Sequence, residues 1–405
     1  MRNMISATQA TQLILESIIP FKDKSVEIKK ITGRILRQSV FAERDQPPFN
    51  RATMDGIAIR FSSFKSNKIK YRIAATAHAG EPIKELIDPN DCIEIMTGAV
   101  IPNKADCIIP VEYLSFINKS VQINLNYKAE KNHFIHKKGS DYKRGAELLR
   151  PGKKITPMDI AIITSCGLES VLVSKQPTIS ILSNGNELIS GNRAIKPHQI
   201  RLSNGPSIIS MLQQQGFDKC VHEHLIDEKS ILRKRISNHL DKSNIVIISG
   251  GVSMGKTDFI PDILKELAVD CVFHKISQRP GKPMWFGIGP QKQAVFSLPG
   301  NPVSSLTCSR QYVIPALYHA SSYQIGPQEY VEIEQDITYK PKLTNFLPVK
   351  TKVKTNGKLI AKPIFTNTSG DFRALSDTDG YIELKSEKTH FKKGQNIPFH
   401  RWKLL

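Results

Sequence analysis

The chain has 405 residues, more than one domain usually spans, which predicts two to four domains. Its apolar fraction of 40% and charged fraction of 23% suit a soluble globular protein, and no run approaches the ~20 consecutive apolar residues of a membrane-spanning helix. Lysine and arginine outnumber aspartate and glutamate by 57 to 37, a formal charge of +20, but the lysines are dispersed and no aromatic residues interleave with them. That pattern argues against a nucleic-acid stacking platform or a membrane partner, and reads as solvated surface charge, with steering of anionic substrates as the alternative.

Ala10, Leu13, Ile14 and Ile18 recur at helical spacing within the first twenty residues. The segment lacks the apolar core and cleavage site of a signal peptide, so a cytoplasmic location is expected. Ile31 to Leu36 suits a helix-to-strand junction. From 46 to 141 short alternating segments, such as Tyr71 to Ala74 and Cys92 to Met96, are punctuated by Gly80, Pro82, Pro89, Pro102 and Pro110, predicting an inserted all-β domain. Pro157 to Cys166 reads as a helix closed by Gly167, within a segment 142–176 that joins residues 1–45 in a discontinuous N-terminal domain. Over 177–325 strands and helices alternate. Strands are expected at Thr178 to Leu182, Ile245 to Ile248 and Ala294 to Leu298. Helices are expected at Pro206 to Gln215, Lys229 to Leu240, Pro261 to Leu267 and, as one long helix, Val303 to Tyr318. This is the pattern of a multidomain α/β plus β protein whose α/β domain is a doubly wound parallel sheet. Residues 326–405 return to β, with an Asn356-Gly357 hairpin turn. The six cysteines show no C-x-x-C spacing, so they are read as structural thiols; Cys92, Cys107 and Cys271 adjoin apolar strand residues and are expected to be buried.

Three glycine-containing loops lie close together in sequence: Ser249-Gly250-Gly251-Val252-Ser253 through Asp258, Arg279-Pro280-Gly281-Lys282-Pro283, and Leu298-Pro299-Gly300-Asn301-Pro302. Each adjoins an apolar run and is expected at a strand end, the edge where open α/β sheets bind anions. Gly250 to Thr257 also fits a P-loop. A P-loop threonine opens a long helix, however, whereas Pro261 follows four residues later, and Ala294 to Leu298 does not end in the metal-binding Asp of such a site. The nucleotide-hydrolase reading is therefore the weaker one.

Together the loops resemble the molybdopterin molybdenumtransferase family, which includes the C-terminal part of gephyrin. Pro47 to Ala58 carries the family's Met-Asp-Gly core at Met54, Asp55 and Gly56. Ile95 to Ala99 with Pro102, Asp106 and Glu112 matches the next motif, then Gly139-Ser140-Asp141, Ser183 to Leu188, and Ile200-Arg201 with Ser203-Asn204. The family's fold has four domains, the first discontinuous. It is similar to the division 1–45 with 142–176, 46–141, 177–325 and 326–405, and implies a β-barrel-like C-terminal domain.

The resemblance implies insertion of molybdate into adenylylated molybdopterin with release of AMP, magnesium serving as cofactor. Gly250, Gly251, Ser253 and Asn301 are then the phosphate side. Asp258 and Glu187 are the carboxylates for magnesium, and Asp55, Thr97 and Asp227 carry over as further catalytic positions. Arg279, Lys282, Lys275 and Ser369 match the oxyanion side. Asp55 lies in the inserted domain, so the resemblance implies a homodimer; the molybdopterin adenylyltransferase is a further candidate partner. Four positions depart from the family: Asn184 for threonine, Leu202 for aspartate, and His136 and Pro348 for arginine. They are expected at the periphery of the site. A homologue that binds molybdopterin or a partner without catalysis is the alternative reading.

Overall fold

The middle strands of the central sheet, Ile245–Ser249 and Ala294–Leu298, are near-continuous apolar runs, as strands covered on both faces require. A computed structural model describes residues 4–252, 258–365 and 370–403. The six strands of this sheet are β1 (Ile179–Asn184), β2 (Cys220–Leu225), β3 (Ile245–Ser249), β4 (Asp270–His274), β5 (Trp285–Ile288) and β6 (Ala294–Leu298). Their order is β2-β1-β3-β6-β5-β4. The first four are parallel, whereas β5 and β4 are antiparallel additions. The expectation of a wholly parallel sheet is corrected at that edge. The strands β2 and β4 escaped the sequence reading because they carry polar residues that an edge leaves exposed; β5 is a short buried apolar run that was also not read as a strand.

The helices that pack on this sheet are α1 (Ala7–Ser17), α2 (Asn204–Gln214), α3 (Lys229–Lys242), α4 (Ile260–Glu266), α5 (Pro302–Cys308) and α6 (Ile314–Ala320). Alternation along the strands sorts their packing. Ile179, Ile181, Ile245 and Ile247 meet Ile208 and Leu212 of α2, Ile14 of α1 and Leu317 of α6. Leu182, Val246, Ile248 and Val295 meet Leu232, Ile236 and Leu240 of α3 and Ile263 of α4. The doubly wound character stands. The single helix expected from Val303 to Tyr318 is instead α5, a π segment (Ser309–Val313) and α6. Pro315 has no N–H to donate and its ring would meet the carbonyl four residues earlier; the wider turn, with Ile314 bonded back to Ser309, accommodates it. Ile31 to Leu36 leaves a 3-10 turn (Ile28–Lys30) rather than an α-helix.

The chain divides into two compact units, residues 1–37, 152–155 and 170–405, and residues 38–151 with 156–169. In the first, strands β7 (Glu329–Ile333), β8 (Thr344–Val353), β9 (Leu359–Pro363), β10 (Gly380–Leu384) and β11 (Asn396–Arg401) pair in a ring, β8 to β9 to β7 to β11 to β10 and back to β8. This closed barrel is filled by Val331, Leu347, Val349, Ile382 and Phe399. The short strand Gln278–Arg279 joins it beside Thr344 and Asn345 of β8.

The second unit has a six-stranded sheet in the order Cys107–Pro110, Gly56–Ile59, Asp91–Ile95, Lys70–Ala77, Ser120–Ile123, Leu114–Ile117. Between its strands lie a helix, Phe61–Lys65, and a 3-10 turn, Val111–Tyr113, so the inserted domain is β with two short helical turns. The Asp106 carboxylate accepts the Phe61 N–H at 2.6 Å, which gives that helix its start. Helix Pro157–Ser165 begins on a Thr156–Asp159 capping box. Cys92 and Cys107 are buried, as expected, but Cys271 on the edge strand β4 is exposed. No helix among the described residues is long and apolar enough to cross a membrane.

Candidate active site

From β1 the chain passes through α2 to β2 on one side, then returns through α3 to β3 on the other side of β1. The carboxyl ends of β1 and β3 therefore open a crevice at a topological switch point, the usual ligand position in such sheets. A cleft of about 740 Å³ occupies it. Gly250, Gly251, Asn301, Glu187, Asp227 and Asp258 all line this cleft. The sequence thus placed six of its candidates on one surface.

The glycines are needed for the approach of β3's loop to β1. Gly250 and Gly251 have φ of 100° and 70°. A Cβ on Gly250 would lie 2.5 Å from the Asn184 carbonyl oxygen, and one on Gly251 2.6 Å from the Asn184 side-chain nitrogen. Asn184 is therefore not peripheral, contrary to the expectation for that departure: it forms the surface on which the glycine pair rests. Leu202 also lines the cleft, and Pro348 lines a second one described below. Only His136 lies elsewhere, in the second unit, bonded to Asp141 at 2.9 Å.

The acidic loops are cross-tied. Asn186 N–H donates to Asp227 Oδ2 at 3.1 Å, and Asp227 N–H donates to Asn186 Oδ1 at 2.9 Å. His274, at the end of β4, donates from Nε2 to the Val252 carbonyl at 3.2 Å, which fixes its tautomer and anchors the glycine loop. Burial lowers the His274 pKa, partly offset by that carbonyl. Beyond the cleft's opening, α4 begins at Ile260, past the Lys256-Thr257 pair of the P-loop reading.

One residue of the site was not singled out as a candidate. Asn204, the first residue of α2, donates from Nδ2 to Ser249 Oγ at 2.9 Å and to the Gly300 carbonyl at 2.7 Å. It thereby ties the loop after β3 to the loop after β6, while its own Oδ1 is buried and has no partner among the described residues. Its place at the start of a helix behind a strand was the available signal.

Because β4 and β5 run antiparallel, the excursion between them leaves the sheet at the same edge as the other loops. It walls a neighbouring cleft of about 550 Å³ that contains Arg279, Lys282, Asn345 and Pro348 and no carboxylate among its lining residues. Pro283, Pro299 and Asn301 belong to both clefts. Tyr339 lines the basic cleft too, and its hydroxyl is buried without a partner among the described residues. Burial raises the Tyr339 pKa and the charge of Arg279 partly offsets this. Lys275 lines neither cleft; its backbone is left-handed and its N–H donates to the Met284 carbonyl at 2.9 Å. In the second unit, the Thr97 N–H and hydroxyl both donate to Asp55 Oδ1 at 2.6 Å, the hydroxyl first and the N–H second holding that carboxyl below its ordinary pKa. Ser253 and Ser369 lie outside the described residues.

A doubly wound domain with an anion-suited crevice beside a basic cleft, followed by a closed barrel, defines a multidomain α/β plus β protein built to bind anions. Residues 5–167 match the MoeA N-terminal region (domain I and II), 180–319 a probable molybdopterin binding domain, and 330–402 the MoeA C-terminal region (domain IV). The molybdopterin molybdenumtransferase of Synechocystis is 34% identical over 98% of this chain and 100% of its own length; that of Staphylococcus aureus strain Mu50 is 28% identical over 98% and 95%. A molybdopterin biosynthesis MoeA protein from Pyrococcus horikoshii superposes with a TM-score of 0.82 at 27% identity, covering 99% of this chain and 100% of that one. The chain belongs to the molybdopterin molybdenumtransferase family, transferases of molybdenum cofactor biosynthesis.

Proposed function

We propose that this protein inserts molybdate into adenylylated molybdopterin and releases AMP, with magnesium as cofactor. The observation that supports this most is the paired architecture: an acidic, glycine-lined crevice sharing Pro299 and Asn301 with a basic cleft. The first suits a phosphate-bearing ligand together with a cation, and the second a tetrahedral oxyanion.

Among the described residues no three acidic, histidine or cysteine side chains converge into a self-sufficient metal cage. That fits magnesium, which is commonly held by one or two carboxylates together with substrate phosphates. Asp258 and Glu187 would hold it, with Asp227 beside them, and the ion would neutralise charge on the phosphate that leaves. The Gly250 N–H is held by the Leu298 carbonyl at 3.1 Å, so the glycine pair would serve a phosphate by letting it approach the backbone closely, with Asn301 opening α5 on the same cleft. Arg279 and Lys282 draw in molybdate, with Ser369 as a further member of the oxyanion set; Lys275, which lines neither cleft, is left out of it. Asp55 and Thr97 act from a second copy in a homodimer, and the molybdopterin adenylyltransferase delivers the substrate. We assign four domains, 1–45 with 142–176, 46–141, 177–325 and 326–405. The test is rescue of molybdoenzyme activity in a strain lacking its own family member. Wild type restores it and Asp258→Ala does not; rescue by both, or by neither at equal expression, refutes the reading.

A further inference from the structure

The basic cleft contains two exposed cations on a loop that must be held against their mutual repulsion. The holding groups lie beneath it. Gln278, immediately before Arg279, is completely buried, and its amide donates from Nε2 to the Pro280 carbonyl at 3.0 Å. Its Oε1 accepts the hydroxyl of Tyr312, which is 1% exposed. Gly281 presses onto the same group: a Cβ there would lie 2.7 Å from Gln278 Nε2 and 2.3 Å from Cys308 Sγ. The amide therefore spans the turn that presents Arg279 and Lys282, and Tyr312 sets which way the amide faces.

Tyr312 belongs to the π segment (Ser309–Val313). The same segment grips the barrel, since Gln311 Oε1 accepts the Tyr381 hydroxyl at 2.7 Å and Arg310 donates to the Arg401 carbonyl. The barrel in turn supplies Asn345 and Pro348 to the cleft. A single wide helical turn thus fixes both walls of the basic cleft, which is a use for such turns beyond accommodating Pro315.

We infer that Gln278 and Tyr312 are positioning residues for oxyanion recognition, acting as one linked pair through the Arg279–Lys282 loop. Gln278 is fully buried at the floor of the cleft and Tyr312 lies behind it, outside the lining. The inference rests on the proposed role of the basic cleft. Losing one buried link loosens the cations without removing them, so the expected effect is a rise of about three- to ten-fold in half-saturating molybdate. Turnover at saturating molybdate and affinity for the adenylylated pterin should stay within about two-fold.

The experiment compares the full-length wild type with Tyr312→Phe, Gln278→Met, the double variant and Lys282→Ala. Half-saturating molybdate is measured by AMP release, and molybdate binding by equilibrium dialysis. The expected result is a similar rise for Tyr312→Phe and Gln278→Met, with the double variant no worse than Gln278→Met alone, as coupling through one link requires. Unchanged molybdate dependence in the single variants, multiplicative effects in the double, or an equal loss in every parameter that tracks melting temperature would overturn the inference. If Lys282→Ala weakens molybdate and Tyr312→Phe does not, this inference alone fails. If Lys282→Ala has no effect, the cleft assignment fails and the inference falls with it.

Discussion

Asn204→Ala probes the geometry of the crevice at a residue that touches no proposed substrate group directly. The side chain links two loops through bonds of 2.9 Å and 2.7 Å to Ser249 and Gly300. Each such bond contributes about 0.5–1.5 kcal/mol net, and a buried partner left unpaired costs about 1–3 kcal/mol. Gly300 is exposed, so water replaces the lost donor and the lower end applies there. Ser249 keeps a contact with Ser305 Oγ at 3.4 Å. Removing the unpartnered Asn204 Oδ1 returns part of the cost. The sum is a destabilisation of about 1–2 kcal/mol, read from urea midpoints at constant slope. The functional loss should exceed it, since both loops line the cleft: about 10- to 100-fold in kcat/KM for AMP release, or about 1.4–2.8 kcal/mol. Asn204→Asp is the sharper control, because an acceptor facing the Gly300 carbonyl is repelled where alanine merely leaves a gap. It should be less stable than Asn204→Ala. Wild-type kinetics in the alanine variant, or an aspartate variant more stable than the alanine one, would refute the linking role.

Three further outcomes are expected. Asp258→Ala should abolish magnesium-dependent AMP release while the variant still folds cooperatively, because the residue lies on a loop outside the core; wild-type turnover at saturating magnesium would count against it. Lys282→Ala should raise half-saturating molybdate and Pro348→Arg should lower it, and higher salt should weaken molybdate in the wild type because screening acts within about 10 Å at 0.1 M; identical titrations would remove the oxyanion from this cleft. Burial lowers the pKa of His222, with His224 adding to the shift and Glu223 opposing it, and burial also lowers that of His274. Folding therefore favours their neutral forms, and stability should be full above the unfolded value of about 6.5 and decline as pH falls below it. His222→Gln should flatten that decline between pH 7 and 5, and an unchanged slope would exclude His222 as its source.

What was legible in the sequence was what local chemistry dictates. Gly250 and Gly251 had to mark a close approach, and Pro261 had to delay the helix that now begins at Ile260. The capped helix at Pro157–Ser165 and the buried strands were visible for the same reason. What escaped depends on partners distant in sequence. Asn204 acquires its role from Ser249 and Gly300, 45 and 96 residues away. The edge strand β4 carries polar and exposed residues such as Cys271, so its pattern was not that of a buried strand. The π segment is written only as Pro315, whose effect on a helix can be a kink, a break or a widened turn until packing selects one.

The central claim is that the crevice and the basic cleft act on two anions in one reaction. Its most direct test is AMP release from adenylylated molybdopterin by the purified full-length protein, followed with magnesium and molybdate added separately and together. The account predicts rapid release only when both are present, lost in Asp258→Ala and shifted to higher molybdate in Lys282→Ala. Release that proceeds at the same rate without molybdate, or binding of the pterin with no release under any combination, would contradict it.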